Sequence, residues 1–439
     1  MSAEPLSHSD IEDFMKRLAV PSDDPTDAER YGRIAVLESV KAACAAAQVG
    51  PTVTLNAGTA APRLLSDGTK VRRIDSRRTL ASELGLARKT SPTAGSHWNA
   101  RAGVLATEMP HTLGLLTRGI LTEKRAEILV RETTGLTDEQ RRQIDRELCA
   151  DADTLRNCGD NSVEGRAKSR AIELNNKAVA ERAKRAERER RVTSRPAPDC
   201  MGYLTALLPT KQSVAVWATL RRDADSIVAA GQSGDRTRDQ IMADLLVNRV
   251  LGVDTASGIP VTVNVIVSDR TLLGGGDTPA HISGIGPVPA RVLMDTIADP
   301  DVHLELRRLY ASPASGELVA MEAKSRTFPA GLRRWIEFRD QVCRTPFCDA
   351  PIRHGDHIVE DSRGGPTSAH NGAGLCAHCN QVKNQPGWFS APMDAPGRHT
   401  YRLLTPSGRE FESTAPPLPG PEIYSTPEVF VAEWITSAA

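Results

Sequence analysis

The sequence predicts an α+β protein: a mainly helical N-terminal region, a mixed α/β middle, and a C-terminal ββα finger closed by a four-cysteine zinc site. Three observations carry that reading. Capped segments with a 3.6-residue apolar period dominate the first half. Valines alternate with other residues at 261–267, as in a strand. Two close cysteine pairs, Cys343-x4-Cys348 and Cys376-x2-Cys379, bracket an Asp356-His357 pair.

At 439 residues the chain exceeds the size at which one core usually keeps growing, so several domains are expected. We divide it into a helical domain at 1–155, a basic helix or linker at 156–195, a mixed α/β segment at 196–323, a finger domain at 324–395 and a tail at 396–439. The 55 Lys+Arg balance the 55 Asp+Glu, which excludes a whole-molecule field drawing the protein to nucleic acid or membrane; any basic surface must be local. Residues Met1 to Val20 lack the apolar core of a secretory signal, and no run approaches the ~20 apolar residues needed to span a bilayer. A cytoplasmic protein without membrane partners is expected. Cys44, Cys149, Cys158 and Cys200 are scattered and read as unpaired thiols of a reducing compartment, where two short-spaced pairs mean metal more often than disulfide.

The helices follow from their caps. Asp24-Pro25 should open one carrying Tyr31, Ile34, Leu37 and Cys44 on one stripe. Thr122-Glu123 opens another with Ile128 and Leu129, and Thr137-x-x-Gln140 is a capping box for a third with Ile144 and Leu148 inside. Residues 156–195 hold twelve Lys+Arg against six Asp+Glu. They read either as a basic helix lying along a phosphate backbone or, the favoured reading, as a solvated helix laced with ion pairs such as Glu181 with Arg185. Pro209 starts a helix with Val214, Trp217, Leu220 and Ala224 on one face, and Asp235 caps the next, which carries Ile241 and Leu245. Gly274-Gly275-Gly276 and Gly284-Ile285-Gly286-Pro287 are turns; the second lacks the further glycine of a nucleotide loop. The tail reads as linker plus a short helix near Glu428 to Ile435.

In the finger, Pro329 starts a helix with Leu332, Trp335 and Ile336. Ile352 to Val359 forms a strand bearing Asp356 and His357, Gly364-Gly365-Pro366 a loop, Gly374-Leu375 a second strand, and Ala377 to Asn384 a helix. Four thiols in two close pairs can close a tetrahedral zinc site with no open position, so such a zinc is structural and chemistry must come from the residues it holds in place. An imidazole, a carboxylate and amides that can ligate a second metal are what a phosphodiesterase needs. Trp388 is expected as the core plug of the finger.

These residues resemble the HNH endonucleases. The motif stands here as Asp356-His357-Ile358-Val359, Gly364-Gly365-Pro366-Thr367, Asn371, Leu375-Cys376-Ala377-His378-Cys379-Asn380 and Lys383. The wider chain is similar to the actinobacterial 13E12 repeat family, which joins a helical N-terminal domain of unknown function to an HNH domain; Gly284-Ile285-Gly286-Pro287 and Arg339-Asp340-x-x-Cys343-Arg344 are among the matching segments. The resemblance implies His357 as general base, and Asp356 with Asn380 holding Mg²⁺ or Mn²⁺. It further implies Asn371 fixing the loop and orienting the imidazole, and Lys383 meeting a phosphate. Cys343, Cys348, Cys376 and Cys379 would hold the structural zinc. Asn380 stands where many members carry His, so this is an H-N-N variant; His378, one residue off the motif position, reads as a surface or DNA-side residue rather than a ligand.

DNA is the expected partner. Residues 324–400 carry ten Lys+Arg and seven Asp+Glu, or +3, and four thiolates with Zn²⁺ add −2, leaving about +1. So small a charge holds DNA weakly, and affinity is expected from the N-terminal part, with 156–195 as the candidate. The leading function is a metal-dependent DNA endonuclease leaving 5′-phosphate and 3′-hydroxyl ends, and double-strand cutting by a one-site finger suggests a homodimer. The alternative is a non-catalytic, zinc-stabilised nucleic-acid-binding protein. A zinc oxidoreductase is disfavoured because four thiolates leave no open metal position.

Overall fold

The computed structural model describes residues 6–20, 26–58, 76–252, 265–267, 271–272, 276–282, 286–297, 306–310, 328–394, 397–417 and 431–434. The chain is mixed α/β and mostly helical, and it forms two compact units: residues 1–57 with 100–180, and 58–99 with 181–439.

The first unit is helical. It draws on α1 (His8–Leu18), α2 (Asp27–Ala47), α3 (Val49–Gly58), the later part of α5 (Pro92–Thr107), α6 (Pro110–Thr117), α7 (Glu123–Glu132), α8 (Asp138–Cys149) and the start of α9 (Asp160–Ala186). Leu105, Met109, Leu115, Leu116, Leu129 and Ile144 are wholly buried at its centre. Thr122 caps α7, and the Thr137–Gln140 capping box opens α8 with both reciprocal hydrogen bonds made, as their spacing requires. Asp24-Pro25 lies outside the described residues. The cap observed for α2 is Thr26, boxed by Glu29. The apolar stripe expected on α2 is also displaced: Tyr31, Ile34 and Cys44 are exposed, whereas Ala42, Ala45 and Ala46 are buried. Small side chains let α2 approach its neighbours closely, which a count of large apolar residues does not register.

The second unit contains α4 (Ser76–Ala87), the β1 (Arg191–Pro196) and β2 (Gly202–Leu207) ribbon, and the paired helices α10 (Thr210–Ala229) and α11 (Arg238–Leu251). Leu220 and Ala224 pack on Ile241 and Met242, but Val214 and Trp217 of the expected face are exposed. Thr237, not Asp235, caps α11, because its hydroxyl accepts from the Gln240 amide. Of the valine run, Val265–Ile266 forms β3, and 261–264 lie outside the described residues, as do glycines 274, 275 and 284. Strand β3 pairs with β4 (Ala280–Ile282), and β4 with β5 (Gly286–Val288), followed by α12 (Ala290–Ile297).

The C-terminal part contains β6 (Leu306–Tyr310), α13 (Ala330–Asp340), β7 (His354–His357), β8 (Gly372–Leu375) and α14 (Ala377–Val382), then β9 (Phe389–Met393), β10 (Thr400–Leu404), β11 (Glu410–Thr414) and β12 (Val431–Trp434). Strands β7 and β8 pair antiparallel, His357 opposite Gly372; β9, β10 and β11 form an antiparallel sheet in the order β11-β10-β9. The described part of the tail therefore departs from a linker with one helix, and residues 418–430 and 435–439 of that expectation lie outside the described residues. Residues 431–434 are extended and pair with β6, since a short apolar run takes its conformation from an available partner strand. The thiols lie in one core with Ile358, Leu375, Trp388, Tyr401 and Leu403, and Leu86 of α4 joins it from far upstream in the chain.

Candidate active site and thiol cluster

Helix α13 is opened by Pro329 and buries Leu332 and Ile336; Asp340 at its end is fully buried. Asp340 Oδ1 accepts from Arg339 Nε at 2.7 Å and Arg344 Nη1 at 2.8 Å, and its Oδ2 accepts from the Gly374 amide at 2.6 Å. Arg339 also donates to the carbonyls of Ala369 and Gly372, both at 2.7 Å. Burial alone would raise the Asp340 carboxyl, yet the flanking guanidiniums hold it below its ordinary value. This buried charge network fixes where β8 runs.

Strand β7 delivers Asp356 and His357. The His357 amide donates to Asp356 Oδ1 at 2.9 Å, and its Nδ1 lies 3.6 Å from the same oxygen. The imidazole is buried, with Nε2 2.8 Å from the Thr367 hydroxyl and its ring centroid 4.7 Å from that of Phe328. Asn371, also buried, makes no hydrogen bond to this ring. Its Oδ1 accepts from the Val359 amide at 2.9 Å, and its Nδ2 donates to the Val359 and Pro366 carbonyls, each at 2.9 Å. These bonds tie Asn371 to Val359 and Pro366 on either side of the loop, while the hydrogen bond to the imidazole is made by Thr367. Gly365 is required here: a Cβ would stand 1.9 Å from the Val359 carbonyl oxygen.

Helix α14 supplies the other half. Lys383, just past its end, donates from Nζ to the His357 carbonyl and lies 3.0 Å from Asp356 Oδ2. Its side chain is only 9% exposed, so it serves the carboxylate rather than presenting a free cation to a phosphate. Asn380 Oδ1 is buried and has no hydrogen-bond partner among the described residues. His378 turns to α4, with Nε2 3.0 Å from the Ser82 hydroxyl, and Arg78 bonds Gln381 alongside. His378, expected at the surface or on the DNA side, instead contacts α4.

The four thiol sulfurs lie within 4.8 Å of one another, all buried. Sulfur separations of 3.8 Å for Cys348–Cys376 and 3.7 Å for Cys379–Cys348 match the edge length of a tetrahedron of sulfurs about 2.3 Å from a central zinc. Cys376 caps α14, its sulfur accepting from the Cys379 amide at 3.4 Å. Hydrogen bonds from Cys343, Cys348 and Cys379 hold the Cys376 thiol far below its usual range. The cluster could hold a zinc ion. It carries no imidazole or carboxylate.

Residues 341–385 match the family model described as HNH endonuclease. The chain carries an HNH domain. The matched segment spans all four cysteines, Asp356, His357, Asn371, Asn380 and Lys383. No curated protein and no solved structure matches the chain. The HNH match implies a nuclease at the family level, with a nucleic-acid substrate and divalent metal. Among the described residues no helix is long and apolar enough to cross a membrane.

Sequence reasoning did not assign two participants at this HNH site. Thr367 closes the loop motif but carries no charge that would mark it as the imidazole's partner. Phe328 lies outside the motif, and only the packing of α13 brings it to His357.

Proposed function

We propose that this protein is a metal-dependent DNA endonuclease of the 13E12 type, hydrolysing phosphodiester bonds with His357 as general base. The observation that supports the reading is Asp356 Oδ1 lying 3.6 Å from His357 Nδ1, together with a buried Asn380 oxygen that has no hydrogen-bond partner among the described residues and that lies three residues before Lys383, the residue meeting Asp356. A buried amide oxygen without a donor is costly, by about 1–3 kcal/mol, and a hard cation would satisfy it. Asp356 and Asn380 would hold Mg²⁺ or Mn²⁺, which when bound would stabilise charge on the phosphoryl oxygens and the leaving 3′-oxygen.

His357 takes the proton from the attacking water. Nε2 is engaged by Thr367 in the buried pocket, so we assign the accepting atom to Nδ1, on the Asp356 side. With Nε2–H donating to the Thr367 oxygen, Nδ1 keeps its lone pair. Asn371 holds the loop that carries Thr367, and Lys383 positions Asp356. Cys343, Cys348, Cys376 and Cys379 would bind a structural zinc that fastens α14 to the loop before β7.

The experiment is plasmid scission by the full chain after removal of loosely bound cations. Adding Mg²⁺ or Mn²⁺ restores cutting while tightly held zinc stays constant. Cutting that needs no added cation, or none under any cation, defeats the proposal and favours a zinc-stabilised binding protein.

A further inference from the structure

Residues 181–196 carry seven Lys+Arg and three Glu, a surplus of +4 in sixteen residues, and positions 183–196 are all exposed. The ion pair expected between Glu181 and Arg185 is not formed. Among the described residues Lys184, Arg185 and Arg188 meet no carboxylate; Arg190 and Arg191 donate only to backbone, at the Glu187 and Glu189 carbonyls, 3.0 and 3.1 Å away. The earlier part of α9 behaves differently. There Val163, Ala167 and Ala171 are buried, and Arg170 is bridged to Glu147 and Glu173. The helix breaks at Asn175 (φ −156°, ψ 73°), so the docked, neutralised stretch and the open, cationic one are separate pieces.

The cationic stretch runs directly into the β1–β2 ribbon, every residue of which is exposed. Its register pairs Arg191 with Leu207, Thr193 with Thr205 and Arg195 with Tyr203, and opposed residues share a face. One face therefore presents Arg191, Thr193, Arg195, Tyr203, Thr205 and Leu207, while Val192, Leu204 and Ala206 point the other way. The Arg195 guanidinium lies 3.9 Å above the half-exposed Tyr203 ring, which holds it extended at the surface.

We propose that this face, led into by Arg185 and Arg188, grips the phosphate backbone of duplex DNA. Guanidiniums bind phosphate bidentately, threonine hydroxyls donate to the same oxygens, and the groove of a duplex admits a two-stranded ribbon. Arg191 and Arg195 are about 13 Å apart along the strand, comparable to a major-groove width of about 12 Å. The finger's own small positive charge leaves room for this second anchor. The proposal rests on the nuclease reading only for its choice of ligand.

The test is fluorescence anisotropy of a short labelled duplex against the full chain, without added Mg²⁺ or Mn²⁺, over a range of salt concentrations. The R191Q/R195Q double variant should bind tens of fold more weakly at about 0.1 M salt, and its slope of log affinity against log salt should fall by about 1.8, or 0.9 for each lost phosphate contact. R191K/R195K should keep most of that slope. His357→Ala should bind as wild type does, so lost cutting with intact binding reports on the HNH site and a lost salt slope reports on the ribbon. Wild-type affinity and slope in R191Q/R195Q would overturn the proposal, as would tight binding of single strands alone.

Discussion

Lys383 Nζ stands 3.0 Å from Asp356 Oδ2, with its side chain almost wholly covered. The pair links the end of α14 to β7 at the residue we assign to metal. Lys383→Ala should cost about 1–3 kcal/mol, toward the lower part of that range because Asp356 remains partly open to solvent. Combined with Asp356→Asn the two losses should fall short of additivity by about 0.5 kcal/mol or more in urea denaturation. Strict additivity would show that the pair is incidental.

The thiol cluster should bind one zinc per chain. Chelation, or Cys379→Ser, should release it and melt the finger, because apparent binding energies of structural zinc are on the order of 10–16 kcal/mol and are largely folding energy. Metal analysis beside thermal denaturation checks this. A zinc-free chain with an unchanged melting profile would contradict it.

Asp340 balances two buried guanidiniums, so Asp340→Ala should destabilise the second unit by about 3–5 kcal/mol. Its carboxyl is held below the ordinary 3.8, so the stability it confers is present above that value and is lost as acid passes through the lower folded value. A denaturation midpoint within error of wild type would refute this role.

His399 adds a second acid dependence. Burial, then the charge of Arg339, pushes it down to about 3 from an ordinary 6.5. The unfolded chain binds the proton first, so stability is full above about pH 6.5 and declines toward pH 3, by up to about 1.4 kcal/mol per pH unit. His399→Gln should flatten that decline, as seen by comparing midpoints near pH 7 with those near pH 5. An equally steep loss in the variant would assign it elsewhere.

A fragment of residues 324–395 should fold poorly. It omits Tyr401 and Leu403, which pack on the thiol core and are each worth about 1.5–3 kcal/mol when buried. Extending it to residue 417 should sharpen the melting transition. Equal cooperativity in both would show that β10 and β11 are dispensable.

How legible the sequence is depends on range. Local chemistry reads well: the Thr137–Gln140 box, the Pro329 start of α13 and the two thiol pairs are set by neighbours a few residues away. Features that need a distant partner do not. Leu86 and Ser82 lie some three hundred residues before the α14 helix they contact, and nothing in their own segment announces that docking. The same holds for β12, whose extended form depends on β6, and for the α2 face, where alanines rather than Tyr31 and Ile34 are inside. Within the site the motif identifies residue types but not their bonding. Thr367 rather than Asn371 meets the imidazole, and Lys383 turns to Asp356.

The most direct measurement is strand scission by His357→Ala under the same Mg²⁺ or Mn²⁺ that supports the wild type. Removing a general base should slow the single-turnover rate by about 10²–10⁴-fold while zinc content and duplex affinity hold. A variant that cuts at the wild-type rate would show that the proton is taken elsewhere and that the assignment of His357 is wrong.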